Sequence, residues 1–566
     1  MKRSLSAWIL SAACSVAASD PRISLPPFAT TLDLSSAEGI PVLSGGRIKP
    51  LRVAATEGVQ EIRGRSGFTR ELGPMASWFA VSFLPETLSV QPVVWFPEKD
   101  LRSIAGLDPS GQFASFKELA SNRAFLAVLS EANDKSSRSE KLTAVEAAAR
   151  EAGRRLEKFA EAAAGAGWRI LPGPKGREGA WRLPQEAKLA DLASDRVLST
   201  RLEAFGRLAQ AYRAGDQSGF NRAARDLVSQ DILVDSLSAL GDGTTLRARA
   251  SHVSAELALS RWHPFRFAWI LLLAAFLAAW TAQVATAGPA ARRLAAGAWA
   301  AAFAGLASMA VGFALRIYVS GRAPVTDMYE TTLWVGFGSL AIGLGVARLY
   351  RSTTILSVAA AAGCVVLVLA DNLPTVLDPA IRPLVPVLRS NYWLTLHVLT
   401  VTLSYAAFLL STGLGNLGLA QEFRTGSDEF RRTLARWTHR SMQLGVLLLT
   451  AGILLGGVWA DYSWGRFWGW DPKETWSLIA DLGYLVVLHG RFSGWIRVFG
   501  TLMGAVLAYF GVVMAWYGVN FVLASGLHSY GFSSGGAAGM AVFAVLQGTF
   551  ACAAWIRHRR NLSCAA

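Results

Sequence analysis

Four tryptophans fall within thirteen residues of the stretch Trp464-Gly465-Arg466-Phe467-Trp468-Gly469-Trp470-Asp471-Pro472-Lys473-Glu474-Thr475-Trp476. Indole faces stack on flat aromatic molecules and bury apolar area, and the glycines between them let such a molecule approach the backbone. Trp464, Trp468, Trp470 and Trp476 therefore read as a platform for a large planar ligand, with Arg466 and Lys473 available for its carboxylates. The competing reading is an aromatic belt at the headgroup level of a membrane. It accounts for one Trp, but not for this density or for the interleaved glycines. Asp471-Pro472-Lys473-Glu474 has a separate meaning: Asp as N-cap, Pro at the first helical position and Glu three residues after the Asp form a capping box. Asp471 and Glu474 are thus expected to start a helix.

Histidines supply the second element. His397 lies six residues into an apolar run at about 391–413, so at 1.5 Å per residue it sits about 9 Å below the end of that run. His528 stands in Gly526-Leu527-His528-Ser529-Tyr530-Gly531, in the loop that follows a later run. Both flank the tryptophan loop on one side of the membrane. A histidine in a membrane span is expensive and a functional candidate, and neutral imidazole suits iron. Two imidazoles converging on an aromatic platform predict the axial ligands of a haem iron, although without the tryptophans polar packing would explain each. His489 follows Asp471 by 18 residues, about 27 Å of helix, which places it near the opposite membrane face. It cannot share an iron with the other two unless that helix is broken. Two sites on opposite leaflets imply movement of a ligand between them.

The elements that must position these groups follow from composition. Of 566 residues, 52% are hydrophobic and 17% charged, which excludes an ordinary water-soluble protein. Most of the charge lies in residues 20–262. From Phe265 onward come nine apolar runs of membrane-spanning length, at about 265–286, 294–317, 327–348, 353–371, 391–413, 441–460, 474–490, 498–521 and 534–556. The net charge of +15 does not point to nucleic acid, because in this half the basic residues recur in short loops, as membrane orientation requires. With the first run entering from outside, Arg292, Arg293, Arg348, Arg351, the arginines from Arg424 to Arg440, Arg491, Arg497 and Arg557 to Arg560 fall inside. Arg316, Arg322, Arg382, Arg389 and Arg466 fall outside, so the rule holds as a bias. The tryptophan loop, His397 and His528 then share the outer side.

Residues 1–19, with Lys2, Arg3 and the apolar stretch Leu5 to Ala18, read as a secretory signal or an uncleaved anchor. Either would export residues 20–262. That domain is expected to be mixed α/β: strands and turns around Gly39-Ile40-Pro41-Val42 and Gly45-Gly46-Arg47-Ile48-Lys49-Pro50, a long helix over Lys141 to Ala166, a hairpin joining Trp168–Leu171 to Trp181–Leu183, and helix again from Val197 to Leu240. Nothing in it has catalytic spacing, and His252 reads as a surface residue of its last helix. None of the four cysteines, Cys14, Cys364, Cys552 and Cys564, lies in it. It has no disulfide framework and no Cys-x-x-Cys-His motif. The expected architecture is a polytopic α-helical membrane protein of about nine transmembrane helices, over residues 263–566 with the loop at 461–476, preceded by an extracytoplasmic domain.

The sequence resembles the CcsA/ResC-type cytochrome c assembly proteins over roughly residues 318–531. The resemblance rests on Gly321-Arg322-Ala323-Pro324-Val325-Thr326-Asp327-Met328-Tyr329-Glu330, Trp393-Leu394-Thr395-Leu396-His397-Val398 with Ser404-Tyr405, Gly457-Val458-Trp459-Ala460, the whole tryptophan loop, Leu488-His489, and Gly518-Val519-Asn520 running into the His528 segment. It implies a haem carrier of the cell inner membrane and a component of a cytochrome c synthase. Haem b would enter near the cytoplasmic side, move outward and be presented for thioether attachment to apocytochrome c. The resemblance assigns His397 and His528 to the external haem and His489 to the inner one. It also implies a ResB-type partner that contributes a further haem-facing histidine, and residues 1–262 contain no such module. His439, beside Arg440 at the inner end of the sixth run, could supply the missing ligand, although a border histidine among arginines reads more readily as a loop residue. Two other functions compete: a transporter of haem or another amphipathic ligand without ligation activity, and a structural assembly factor anchored by its tryptophans.

Overall fold

The computed structural model describes residues 23–565 except 70, 139, 173–180, 188–194, 230–242, 286–287, 375, 384–391, 425–427 and 524–535, with backbone alone at 243–250 and 564–565. His528 and the N-terminal apolar segment therefore lie outside the described residues. The chain divides into two compact units, Met1–Arg261 and Trp262–Ala566.

The first unit is dominated by helices. Among the described residues its strands form two short antiparallel pairs, β1 (Pro41–Ser44) with β2 (Arg47–Pro50) and β3 (Val94–Trp95) with β4 (Phe113–Ala114). Gly45 and Gly46, both at positive φ, make the first turn. The expected long helix runs over Ala144–Ala163 from a Thr143/Glu146 capping box. The stretch from residue 197 gives Arg196–Ala214 and Gln217–Val228, separated because Gly215 at φ 69 ends the first and Asp216 caps the second. Of the anticipated hairpin, the described residues hold one antiparallel bridge, Leu171 with Arg182. A buried aromatic cluster centres the unit: Phe79 meets Trp168 at 5.3 Å and Tyr212 at 5.2 Å between ring centroids. His252 is half-buried in the helix Gly243–Trp262.

The second unit is helical: α1 (Pro264–Val284), α2 (Pro289–Ser320), α3 (Met328–Leu349), α4 (Thr353–Asn372), α5 (Tyr392–Ala420), α6 (Asp428–Trp464), α7 (Pro472–Phe492), α8 (Val498–Val513), which continues as a π-helical segment Met514–Leu523, and α9 (Gly536–Ala565). Among the described residues eight helices are long and apolar enough to cross a membrane. α7 has the length, but Asp481, His489 and Arg491 lower its hydropathy. Helices α5 and α6 pack most extensively, and glycines bring their backbones together: a Cβ at Gly452 would lie 2.5 Å from Val401 Cγ2, and one at Gly445 would lie 2.3 Å from Phe408 Cε1. Small residues at helix contacts permit this approach inside a membrane.

Candidate functional site: the outer ends of α5, α6 and α7

Helix α6 ends at Trp464 because Gly465 adopts φ 69, and its N–H closes on the Asp461 carbonyl at 2.8 Å. The next seven residues fold into a compact loop whose organiser is the Glu474 carboxylate. It accepts from the Gly469 N–H at 2.8 Å and the Asp471 N–H at 3.1 Å, and it faces the Arg466 guanidinium at 3.4 Å. Asp471, buried, caps α7 by accepting the Lys473 N–H at 3.0 Å, so the capping box is present. A Cβ at Gly469 would lie 1.5 Å from Arg466 Nη1, so any side chain there would displace the guanidinium from its place beside Glu474.

The indoles do not form one flat sheet. Trp464 meets the buried Trp459 at 4.6 Å and 67°, with the Arg466 guanidinium 5.5 Å from its ring. Trp468 and Trp470 cross at 90° with centroids 5.8 Å apart. Trp470 is 70% exposed and holds φ 56, a left-handed conformation costly for a side chain with a Cβ. Such strain persists only where surrounding contacts impose it, and it clusters at ligand sites. Trp476 is half-buried in the first turn of α7. Arg466 is committed to Glu474 and Trp464, whereas among the described residues no carboxylate is paired with the Lys473 ammonium.

His397 is joined to this loop through α6. Its Nδ1 lies 2.7 Å from the Gly452 carbonyl, and its ring rests on Gly456, where a Cβ would be 2.5 Å from Cε1. A carbonyl only accepts, so Nδ1 carries the proton and Nε2 the lone pair that an iron needs. The neighbouring Gly457 carries the Phe467 ring of the tryptophan loop in the same way, with a Cβ there 2.4 Å from Cζ. Leu394, one turn before His397, packs against the buried Trp459 and Ala460, as Trp464 does. His397 and the loop are thus assembled on one helix end, and the imidazole present fits a haem iron by tautomer and setting.

His489 stands elsewhere, exposed in the last turns of α7, with Nδ1 2.8 Å from the Leu485 carbonyl of its own helix. His439 is half-buried on α6, and among the described residues its Nδ1 has no hydrogen-bond partner. Among the described residues no three His, Cys, Asp or Glu side chains cluster as a metal site.

Three features escaped the sequence reading. The Gly452/Gly456 recess had a signal, two glycines four apart in an apolar run. Asp481, buried in mid-α7, accepts from Thr450 Oγ1 of α6 at 2.9 Å and so fixes the rotation of α7 against α6. The π-helical segment is gripped by the start of α3 through Tyr517 to Thr332 at 2.8 Å, Trp516 to Thr331 at 3.2 Å and Asn520 to the Met328 sulfur at 3.0 Å. The start of α3 is itself fixed by a buried Arg316–Glu330 pair at 2.9 Å, which gives the Gly321–Glu330 motif a structural role.

Residues 269–528 match the family model described as cytochrome C assembly protein. The cytochrome c biogenesis protein CcsA of Parasynechococcus marenigrum is 35% identical over 253 residues, 39% of this chain and 82% of that protein. The protein of the same name from Prochlorococcus marinus strain NATL1A is 34% identical over 257 residues, 38% of this chain and 79% of that one. Protein NrfI of Wolinella succinogenes is 39% identical over 228 residues, 39% of this chain but only 24% of that protein, so the match spans about a quarter of its length.

Proposed function

The chain belongs to the CcsA-type family of cytochrome c assembly proteins, multi-pass membrane proteins of cytochrome c biogenesis, and from that premise we propose that it carries haem b as cargo from an inner site at His489 to an outer site at His397 and His528. The outer site presents the haem to apocytochrome c. The observation that supports this most is the His397 imidazole, oriented by the Gly452 carbonyl against the helix end on which the tryptophan loop folds.

In this reading Nε2 of His397 ligates the iron on one face and His528 on the other. Trp464, Trp468, Trp470 and Trp476 cover the macrocycle, and Lys473, with Arg466 where Glu474 releases it, meets the propionates. Attachment is the addition of a cysteine thiol across a haem vinyl group: a sulfur–carbon bond forms, the thiol proton passes to the other vinyl carbon, and nothing leaves. The contribution of the protein is to hold the two partners in place and exclude competing reactions. The first unit lies on the extracytoplasmic side of the inner membrane, and a ResB-type partner completes the inner site.

The absorption spectrum of detergent-purified protein tests this. Haem absorption that changes in His397→Ala and His528→Ala, together with loss of cytochrome c maturation, is expected. Purified protein without haem would refute the reading. Bound haem with no effect on maturation would leave a transporter without ligation activity.

A further inference from the structure

The arginines of the second unit are of two kinds. At the end of the bundle that carries the tryptophan loop, four meet carboxylates: Arg266 with Asp371 at 2.9 Å, Arg316 with Glu330 at 2.9 Å, Arg382 with Asp378 at 2.6 Å and Arg466 with Glu474 at 3.4 Å. At the opposite end, Arg348 and Arg351 in the turn between α3 and α4 and Arg432, Arg436 and Arg440 on α6 are exposed. Among the described residues no carboxylate is paired with any of these five. Arg436 donates to Thr433 Oγ1 at 3.0 Å and Arg440 to Gln443 Oε1 at 3.3 Å, both neutral groups of the same helix. Arg431, which points to another side of α6, is by contrast neutralised by Glu422 at 2.9 Å and by Asp428.

Arg432, Arg436 and Arg440 recur every four residues and so share one face of α6. Tyr350 meets Trp437 with ring centroids 6.0 Å apart, which brings the turn holding Arg348 and Arg351 alongside. Arg440 precedes Trp464 by 24 residues of continuous helix and Arg436 by 28, about 36 Å and 42 Å. A bilayer with its headgroups is about 40–45 Å thick. Both guanidinium groups, and Trp437 between them, therefore fall in the headgroup layer opposite the tryptophan loop. Membrane orientation alone does not call for this arrangement. Lysine serves orientation as well as arginine, yet Lys473 is the one lysine after residue 262, and the guanidinium fork is the group that takes phosphate oxygens in pairs. Backbone strain is the second sign. α3 ends with the Ser352 N–H on the Ala347 carbonyl at 2.9 Å, and Arg351 holds the left-handed position at φ 49. Glycine fills that position without strain, and strained residues cluster at ligand sites.

We propose that Arg348, Arg351, Arg436 and Arg440, set around the Tyr350–Trp437 pair, bind the phosphate groups of anionic phospholipids in the leaflet opposite the tryptophan loop. The guanidinium groups take the phosphate oxygens, the two rings lie at the headgroup level that aromatic side chains prefer, and the uncompensated charge selects an anionic lipid over a zwitterionic one. The depth of the site along α6 specifies a lipid as the occupant, as does its neighbour Leu349, an apolar side chain 76% exposed beside Arg348.

The test is native mass spectrometry of the detergent-purified full chain, counting the phosphatidylglycerol and phosphatidylcholine retained per molecule. Arg436→Gln with Arg440→Gln removes half the site. Arg351→Gly removes one guanidinium while relieving the left-handed strain, so it folds at least as well as the parent. Arg559→Gln with Arg560→Gln, exposed at the end of α9, is the control: it removes the same charge as the first pair from the same end of the bundle, since His558 of α9 meets Glu422 beside Arg431. The expected result is a several-fold loss of phosphatidylglycerol in the first two proteins, with phosphatidylcholine retention unchanged, the thermal midpoint of Arg351→Gly equal or higher, and the control like the parent. Parental retention in the first two proteins overturns the proposal, and so does an equal loss in all three, which would reduce the arginines to general charge. Phosphatidylglycerol displaced by an equal concentration of inorganic phosphate overturns it in favour of a soluble anion. Variants that lose haem but keep phosphatidylglycerol overturn it in favour of the propionates of the cargo.

Discussion

At the outer end of α7 a single carboxylate, Glu474, ties two backbone N–H groups and Arg466 into one loop, and His397 is oriented by a neighbouring helix. At the inner end His489 is exposed, and its Nδ1 lies 2.8 Å from the Leu485 carbonyl of its own helix. The same residue type is therefore presented in two ways. A side chain locked by other elements is preorganised and loses little freedom on binding, whereas one held only by its own helix must be completed by something else. Under the proposed function, that difference suits an outer site that holds cargo and an inner site that hands it on.

That contrast can be broken at its strongest point. Gly456→Leu would drive the His397 ring out of its recess, given 2.5 Å between a Cβ there and Cε1. Loss of the outer haem signal as complete as in His397→Ala is expected. Added imidazole should partly restore His397→Ala, by filling the vacant iron position, but not Gly456→Leu, where the bulky side chain occupies the recess. Recovery of both would show that preorganisation by α6 is immaterial.

A smaller effect is expected from the platform. Trp468→Ala and Trp470→Ala should each weaken haem retention several-fold during purification while membrane insertion is unchanged, since the two rings contact each other and many other aromatics remain as anchors. Retention equal to wild type would return these residues to the role of an interfacial belt.

The smallest effect belongs to the cap. Asp471→Ala removes a side-chain acceptor at the start of α7, which costs about 1 kcal/mol. Protein yield and thermal midpoint should fall slightly, with haem per folded molecule unchanged. Normal yield with haem lost would make Asp471 a ligand contact instead.

Legibility followed the physics that leaves a periodic or compositional trace. The apolar run at 474–490 corresponds to α7 at Pro472–Phe492, and the capping box was readable because its residue types and spacing are the interaction. The runs at 294–317 and 441–460 underestimate α2 and α6, which extend over Pro289–Ser320 and Asp428–Trp464. Hydropathy marks the bilayer, and a helix continues past it into water without changing its hydrogen bonds. Among the described residues the first unit holds less strand than its β-branched and glycine-rich stretches suggest, since β1 and β2 span four residues each. The seat of His397 depends on a carbonyl 55 residues away, and the Thr450 partner of Asp481 on a facing helix. Neither distance is written in local sequence.

The central claim is that haem reaches the outer site by way of His489. Its most direct test is the absorption spectrum of purified His489→Ala protein in which His397, His528 and the tryptophan loop are untouched. The account predicts protein largely free of haem at both sites and failure to mature cytochromes c. A normal outer-site spectrum with normal maturation would contradict it and leave His489 as a polar residue at a helix end.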